Sequence, residues 1–193
     1  MMMDDGFTRF EHFHRRYLIS SGDGMSRNHV EDYEEDLRAL CEKKGDSPGT
    51  FDIRLVHRAR RVHQSLLTTP FSALLSFYDI LKVLLAAPVK GAGPNAPDTE
   101  LEFPSLVFSN GPATGFFVAL AVHILKMFYV IPEDKCLFVY IESWARISTL
   151  SLTGKLLYYT GIADDFAVQH EQVASHYGLP NAGPLVFNSR RSI

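Results

Sequence analysis

The sequence predicts an α/β protein, a Rossmann-like parallel sheet with helices on both faces. Two observations predict it. Five short, mostly apolar runs (15–20, 51–56, 105–110, 136–141 and 165–169) alternate with segments of helical periodicity, and turn or cap residues punctuate most changes of period. The runs are also nearly continuous in apolar character, as strands covered on both faces are.

Each element has a local reason. RRYLIS (15–20) ends in the turn signal SGDG, and Ser26 is a plausible N-cap for a helix through about Lys44. Val30, Tyr33, Leu37, Leu40 and Cys41 keep helical spacing there, Lys43 and Lys44 favour the helix end, and Gly45 stops it. FDIRLV (51–56) is the second strand. Thr69 then caps a helix with Pro70 at its first position, running to about Ala87. Residues 88–104, PVKGAGPNAPDTELEFP, are the densest in proline and glycine and read as a loop or insertion. SLVFSN (105–110) is followed after NGP by a helix to about Tyr129. CLFVYI (136–141), the helix TLSLTGKLLYY and the strand DFAVQ (165–169) complete the series.

With 193 residues the chain is most simply one domain, spanning 1–187, with a basic tail at 188–193. A formal net charge of −3 argues against a general nucleic-acid binder. Cys41 and Cys136 show no zinc spacing and suit a reducing compartment. The opening MMMDDGFTRFEHFHRR has no apolar stretch ahead of its charges, so no secretory leader is expected. The most apolar segments, 71–89 and 116–131, are broken by Asp79, Lys82, His123 and Lys126, so neither is expected to span a bilayer. An apolar helix behind the basic cluster His57, Arg58, Arg60, Arg61 and His63 suits either core packing or shallow contact with an anionic membrane.

Open parallel sheets bind ligands beyond the carboxyl ends of their strands. Polar, punctuated stretches fall there: SSGDG, SNGP and ESWAR. Glu142 suits a general base or an acceptor for a substrate hydroxyl. It equally suits pairing with Arg146 or capping the next helix. Arg146, near Ser143, Ser148, Thr149 and Ser151 at a helix start, suits a phosphate, or an ordinary salt bridge. Asn110 and Gly111 form a tight strand-to-helix turn in which a ligand can approach the backbone, or which is purely structural. Arg60 and Arg61 suit a pyrophosphate, or a solvated loop. No zinc motif, Walker loop or nucleophile elbow is present.

RRYLISSGDGMS, RARRVHQSLLTTPFS, SNGPATG and YIESWARISTLSLTGKLLY…DDFAVQ occur in order over about residues 12–187. Together they resemble the family of membrane-anchoring subunits of the eukaryotic UDP-N-acetylglucosamine transferase, in its fungal form. The resemblance implies the acceptor-side, N-terminal half of a GT-B glycosyltransferase split into two chains. Its expected partner is the catalytic subunit that grips UDP-GlcNAc, in a heterodimer. The implied reaction adds the second GlcNAc to GlcNAc-diphosphate-dolichol, with inversion, on the cytosolic face of the endoplasmic reticulum membrane or the nuclear outer membrane. No cofactor or metal is implied.

On that reading Glu142 is the candidate catalytic residue at the acceptor sugar. Arg146, Ser143, Asn110, Gly111, Arg60 and Arg61 line the acceptor and diphosphate site, and the apolar triplet Leu185, Val186 and Phe187 docks the partner. The alternatives are a non-catalytic scaffold and a truncated, inactive product. The resemblance implies an N-terminal membrane helix, a first strand and a GSGGHT-type loop in family members, and on it this sequence, opening MMMDDGF, is expected to start inside the helix that follows them. The sheet is therefore expected to lack that first strand.

Overall fold

A computed structural model describes residues 13–59, 69–86, 103–110 and 113–183. The described strands are β1 (His14–Ser20), β2 (Thr50–Val56), β3 (Leu106–Ser109), β4 (Leu137–Ile141) and β5 (Asp165–Ala167). The α-helices are α1 (Gly24–Lys44), α2 (Thr69–Leu85), α3 (Thr114–Met127), α4 (Leu152–Thr160) and α5 (Glu171–Tyr177). Every strand pairing is parallel, as expected of a Rossmann-like α/β fold. The strands form two open sheets, β1-β2 and β3-β4-β5. They belong to two compact units, one of residues 1–57 and 85–102, the other of 58–84 and 103–193.

In the first unit, alternation along β1 sends charge to both faces of the β1-β2 ribbon. Arg15 and Tyr17 share one face and meet Glu34 of α1. The guanidinium donates to both carboxylate oxygens at 2.8 Å and the phenol donates at 2.6 Å. Glu34 lies beside Leu37 and Cys41 on the buried face of α1. Neighbouring His14 and Arg16 lie on the other face. Arg16 bonds both oxygens of Asp52, its partner in register, and the carbonyl of Ala86. Arg54 also donates to Asp52, and His14 Nδ1 lies 2.8 Å from Thr50 Oγ1.

Helix α1 is capped by Asp23 rather than Ser26. The Asp23 carboxylate accepts from the Ser26 backbone N–H and the Ser26 hydroxyl, so the helix starts two residues before the serine. Its end at Gly45 is as expected, with φ at 75° and Asp46 N donating to Cys41 O at 2.9 Å. Both cysteines are buried free thiols.

In the second unit β4 is the central strand, with Phe138 and Tyr140 buried. Asp164, just before β5, accepts from Phe138 N and from Lys126 of α3. Helix α5 lies beyond the last element expected from the sequence. His170 precedes it and Gly178 ends it in the left-handed conformation. Val173 and Ala174 pack with Leu150 and Val168. No described helix is long and apolar enough to cross a membrane.

Burial holds the His14 imidazole below its usual value of 6.5, with Arg16 and Arg15 adding to the effect and Asp52 opposing it. The unfolded chain therefore takes up a proton that the folded chain resists. Stability conferred by neutral His14 is complete above pH 6.5 and is lost as pH falls below it. Urea midpoints measured at pH 7.5 and 5.5 should fall more steeply for the wild type than for His14→Gln. Equal slopes would show that His14 does not contribute.

Candidate functional site

The carboxyl ends of β3 and β4 lie side by side in the second unit, and the chain leaves both toward helices. At the end of β4, Glu142 is 1% exposed. A carboxylate so buried must have its lone pairs satisfied. Oε1 accepts from Ser143 N at 2.8 Å and, more weakly, from the Tyr140 hydroxyl at 3.4 Å. Oε2 accepts from Ser151 N at 2.9 Å and Ser151 Oγ at 3.0 Å. Ser151 is the N-cap of α4, and its oxygen accepts from Gly154 N at 2.9 Å. One carboxylate thus ties both ends of the 143–151 loop to the strand and, through Ser151, sets the start of α4. Of the alternatives open in the sequence, capping the next helix is what the geometry provides; no ion pair links Glu142 to Arg146. Burial pushes the neighbouring Tyr140 phenol up to about 12, so it remains a hydrogen-bond donor at neutral pH.

Gly154 makes this approach fit. A Cβ there would overlap Glu142 Oε2 and come within 3.2 Å of the carboxyl carbon. Gly115 plays the same part at β3, where a Cβ would sit 2.5 Å from Ser109 Oγ. The two helix starts are joined as well, since Ala113 N donates to Thr153 Oγ1 at 2.8 Å. Ala113 is held at φ 44° and ψ −64°, a positive-φ conformation unusual for a residue with a side chain.

Above this base runs the loop itself. Arg146 N donates to Ser143 O, closing a turn that holds Trp144 and Ala145. Trp144 is 41% exposed and stacks on His170, with ring centroids 4.2 Å apart. His170 Nε2 lies 2.7 Å from Trp144 O. Gln169 donates to the backbone carbonyl of Glu142, tying the segment after β5 to the same edge. The Arg146 guanidinium is exposed and forms no ion pair among the described residues.

The expected site residues therefore divide. Glu142, Ser143 and Arg146 gather on one loop, and Asn110 is exposed at the end of the adjacent strand β3. Gly111, Arg60, Arg61, Leu185, Val186 and Phe187 lie outside the described residues. The sequence reading missed four contributors, Gly154, Thr153, Gln169 and His170. A glycine two residues inside an apolar helix was the one available signal, since glycine there marks a close approach. Among the described residues no cluster of His, Cys, Asp and Glu could hold a metal ion.

A second surface stands out in this unit. Phe71, Leu74, Leu75 and Tyr78 of α2 are all exposed at i, i+3, i+4 and i+7, while Ser76, Ile80 and Leu84 are buried. Lys82 Nζ lies 4.7 Å from the centre of the Tyr78 ring. The apolar character of this helix is therefore not spent on the core alone.

Glu142→Ala would strand the N–H groups of Ser143, part-buried, and Ser151, buried, and should lower stability by about 3 kcal/mol. Gly154→Ala should also destabilise, by forcing the carboxylate off Ser151. Because both substitutions act on one contact, the double variant should lose less than the sum of the two singles. Strict additivity in urea unfolding would contradict the clamp.

Comparison with known proteins gives the chain its relatives. The family model described as "Oligosaccharide biosynthesis protein Alg14 like" matches residues 5–182. "UDP-N-acetylglucosamine transferase subunit alg14" of Aspergillus fumigatus is 32% identical over 83% of this chain and 85% of its own length. The subunit of the same name from Debaryomyces hansenii is 32% identical over 86% of this chain and 61% of its own length. For the Homo sapiens subunit the figures are 31%, 84% and 65%, so the chain spans less than two thirds of these last two relatives. No solved structure matches the chain. With the family model covering most of its length, the chain belongs to the Alg14-like family of oligosaccharide biosynthesis proteins.

Proposed function

We propose that this chain is the acceptor-side subunit of a UDP-N-acetylglucosamine transferase. It would work in a heterodimer with a catalytic subunit that binds UDP-GlcNAc. The acceptor is GlcNAc-diphosphate-dolichol at the endoplasmic reticulum membrane. The relatives' shared description as UDP-N-acetylglucosamine transferase subunits carries this reading. The Arg146 guanidinium, without an ion-pair partner among the described residues and on a loop pinned at the carboxyl edge of a parallel sheet, supports the choice of that edge for the acceptor.

In the proposed reaction the acceptor 4-hydroxyl attacks the anomeric carbon of UDP-GlcNAc. The glycosidic bond forms, UDP leaves, and the hydroxyl proton passes to a base. This chain's task is to hold the acceptor in line and to counter the charge of its diphosphate. Arg146 takes the diphosphate, and Ser143, Asn110, Gly111, Arg60 and Arg61 are assigned with it to the acceptor. Glu142, its oxygens already accepting from Ser143, Ser151 and Tyr140, acts as a positioning residue for the loop. The exposed face of α2 rests on the lipid surface, and Leu185, Val186 and Phe187 dock the partner.

Co-expression with the catalytic subunit tests the assignment through transfer of labelled GlcNAc to a GlcNAc-diphosphate-lipid. Arg146→Gln should raise the acceptor KM about tenfold and leave the KM for UDP-GlcNAc unchanged. Glu142→Gln separates positioning from proton transfer. A positioning role predicts a raised acceptor KM together with a lowered unfolding midpoint. A fall in kcat alone, with stability unchanged, would instead make Glu142 the base. Full activity in both variants would favour a chain that only recruits its partner.

Replacing Leu74 and Leu75 with Asp should release the complex from anionic vesicles, since each buried leucine is worth about 2 kcal/mol. Undiminished vesicle binding would remove α2 from the membrane contact.

A further inference from the structure

We infer that Trp144, backed by His170, is the platform on which the acceptor's N-acetylhexosamine ring stacks, so that the 143–146 turn reads sugar and phosphate together. This rests on the acceptor-edge reading above.

The exposed indole is the first observation. At 41% exposure Trp144 leaves much of its surface to solvent at the ligand-binding edge of the sheet. Among the described residues the one ring in contact with it is that of His170, at 4.2 Å and an interplanar angle of 36°. Pyranose rings carry a patch of C–H groups on one face, and a flat aromatic surface is the complement to that patch. The indole N–H remains available to a polar group at the rim.

Rigidity is the second. A platform is useful only if the loop does not have to be ordered on binding. Here the imidazole is fixed to the loop it supports, because its Nε2 lies 2.7 Å from the Trp144 carbonyl oxygen. That oxygen can only accept, so Nε2 carries the proton. Gln169, the residue before His170, holds the Glu142 carbonyl at 2.8 Å. Below, the Glu142 carboxylate fixes Ser143 and Ser151. The indole is thus in tilted contact with His170, and its backbone is held on both sides.

The neighbouring charge is the third. Arg146, two residues on and within the turn closed by its N–H to Ser143 O, carries a guanidinium without an ion-pair partner among the described residues. A flat apolar face and an unpaired guanidinium on one turn suit a ligand whose sugar is bonded directly to phosphate. They suit a bare diphosphate less, since it would leave the indole uncovered. UDP-GlcNAc contains both groups too, so the test must separate donor from acceptor.

Trp144 is the only tryptophan in the chain, so its fluorescence reports this site directly. The chain, in detergent, is titrated with a short-chain GlcNAc-diphosphate-polyprenol, with the same polyprenyl diphosphate lacking the sugar, and with UDP-GlcNAc. The platform predicts a saturable change with the sugar-bearing lipid that the other two do not reproduce. In the complex with the catalytic subunit, Trp144→Ala should raise the acceptor KM about tenfold and leave the donor KM unchanged, with Trp144→Phe recovering most of the loss. Equal fluorescence changes with and without the sugar, no change with any ligand, or a donor KM that rises with the acceptor KM would overturn the platform. A wild-type complex that transfers GlcNAc while the indole stays silent refutes the platform alone. A wild-type complex that transfers nothing to the sugar-bearing lipid refutes the acceptor-edge reading itself.

Discussion

The second unit depends on a buried carboxylate. Glu142 ends the central strand of its sheet with almost no solvent exposure, and its burial is tolerable only because the chain returns nine residues later to supply Ser151. That return determines three things. It fixes the length of the loop bearing Trp144 and Arg146, it starts α4 at Ser151, and it demands a residue without a side chain at position 154. Polar networks of this kind specify one arrangement, because a half-satisfied network would be worse than none. The same residue that looks like a catalytic acid or base in the sequence is thus accounted for by local architecture.

The first unit solves a similar problem on β1. Arg15 and Arg16, adjacent in sequence, point to opposite faces of a strand and each finds a partly or wholly buried carboxylate, Glu34 or Asp52. Burial opposes the charge on Asp52, yet the hydrogen bonds and charges of Arg16 and Arg54 hold its carboxyl below the usual 3.8. Such pairs add little net stability over apolar substitutes, but losing one partner leaves a stranded charge. They therefore fix the register of β1 against β2 and of α1 against β1.

Much of the fold was legible because its signals are local. All five strands lie within a residue or two of the apolar runs that announce them, and the αL glycine at 45 stops α1 where expected. Misses arose where a partner distant in sequence decides. Asp23 outcompetes Ser26 as the cap because its carboxylate reaches two donors of that serine. Glu34 looks like a solvated acid until β1 brings Arg15 and Tyr17 to it. Helix α5 escaped notice because seven residues offer too short a period, and its packing against Leu150 and Val168 holds it. At the site, the loop after β4 was legible as the polar end of a buried strand. The roles within it were not, since the bonds from Ser151 to Glu142 and the stacking of His170 on Trp144 join residues nine and twenty-six apart.

The central claim is that the Glu142 carboxylate holds the 143–151 loop in an acceptor-ready form. Backbone hydrogen exchange, residue by residue, tests it most directly. In the wild-type chain the amides of Ser143 and Ser151 should exchange slowly before any ligand is added. Short-chain GlcNAc-diphosphate-polyprenol should then extend protection to residues 144–149. In Glu142→Gln both the initial protection and the ligand's effect should be largely lost. Ser143 and Ser151 amides that exchange in the wild type as fast as fully exposed loop amides would contradict the account.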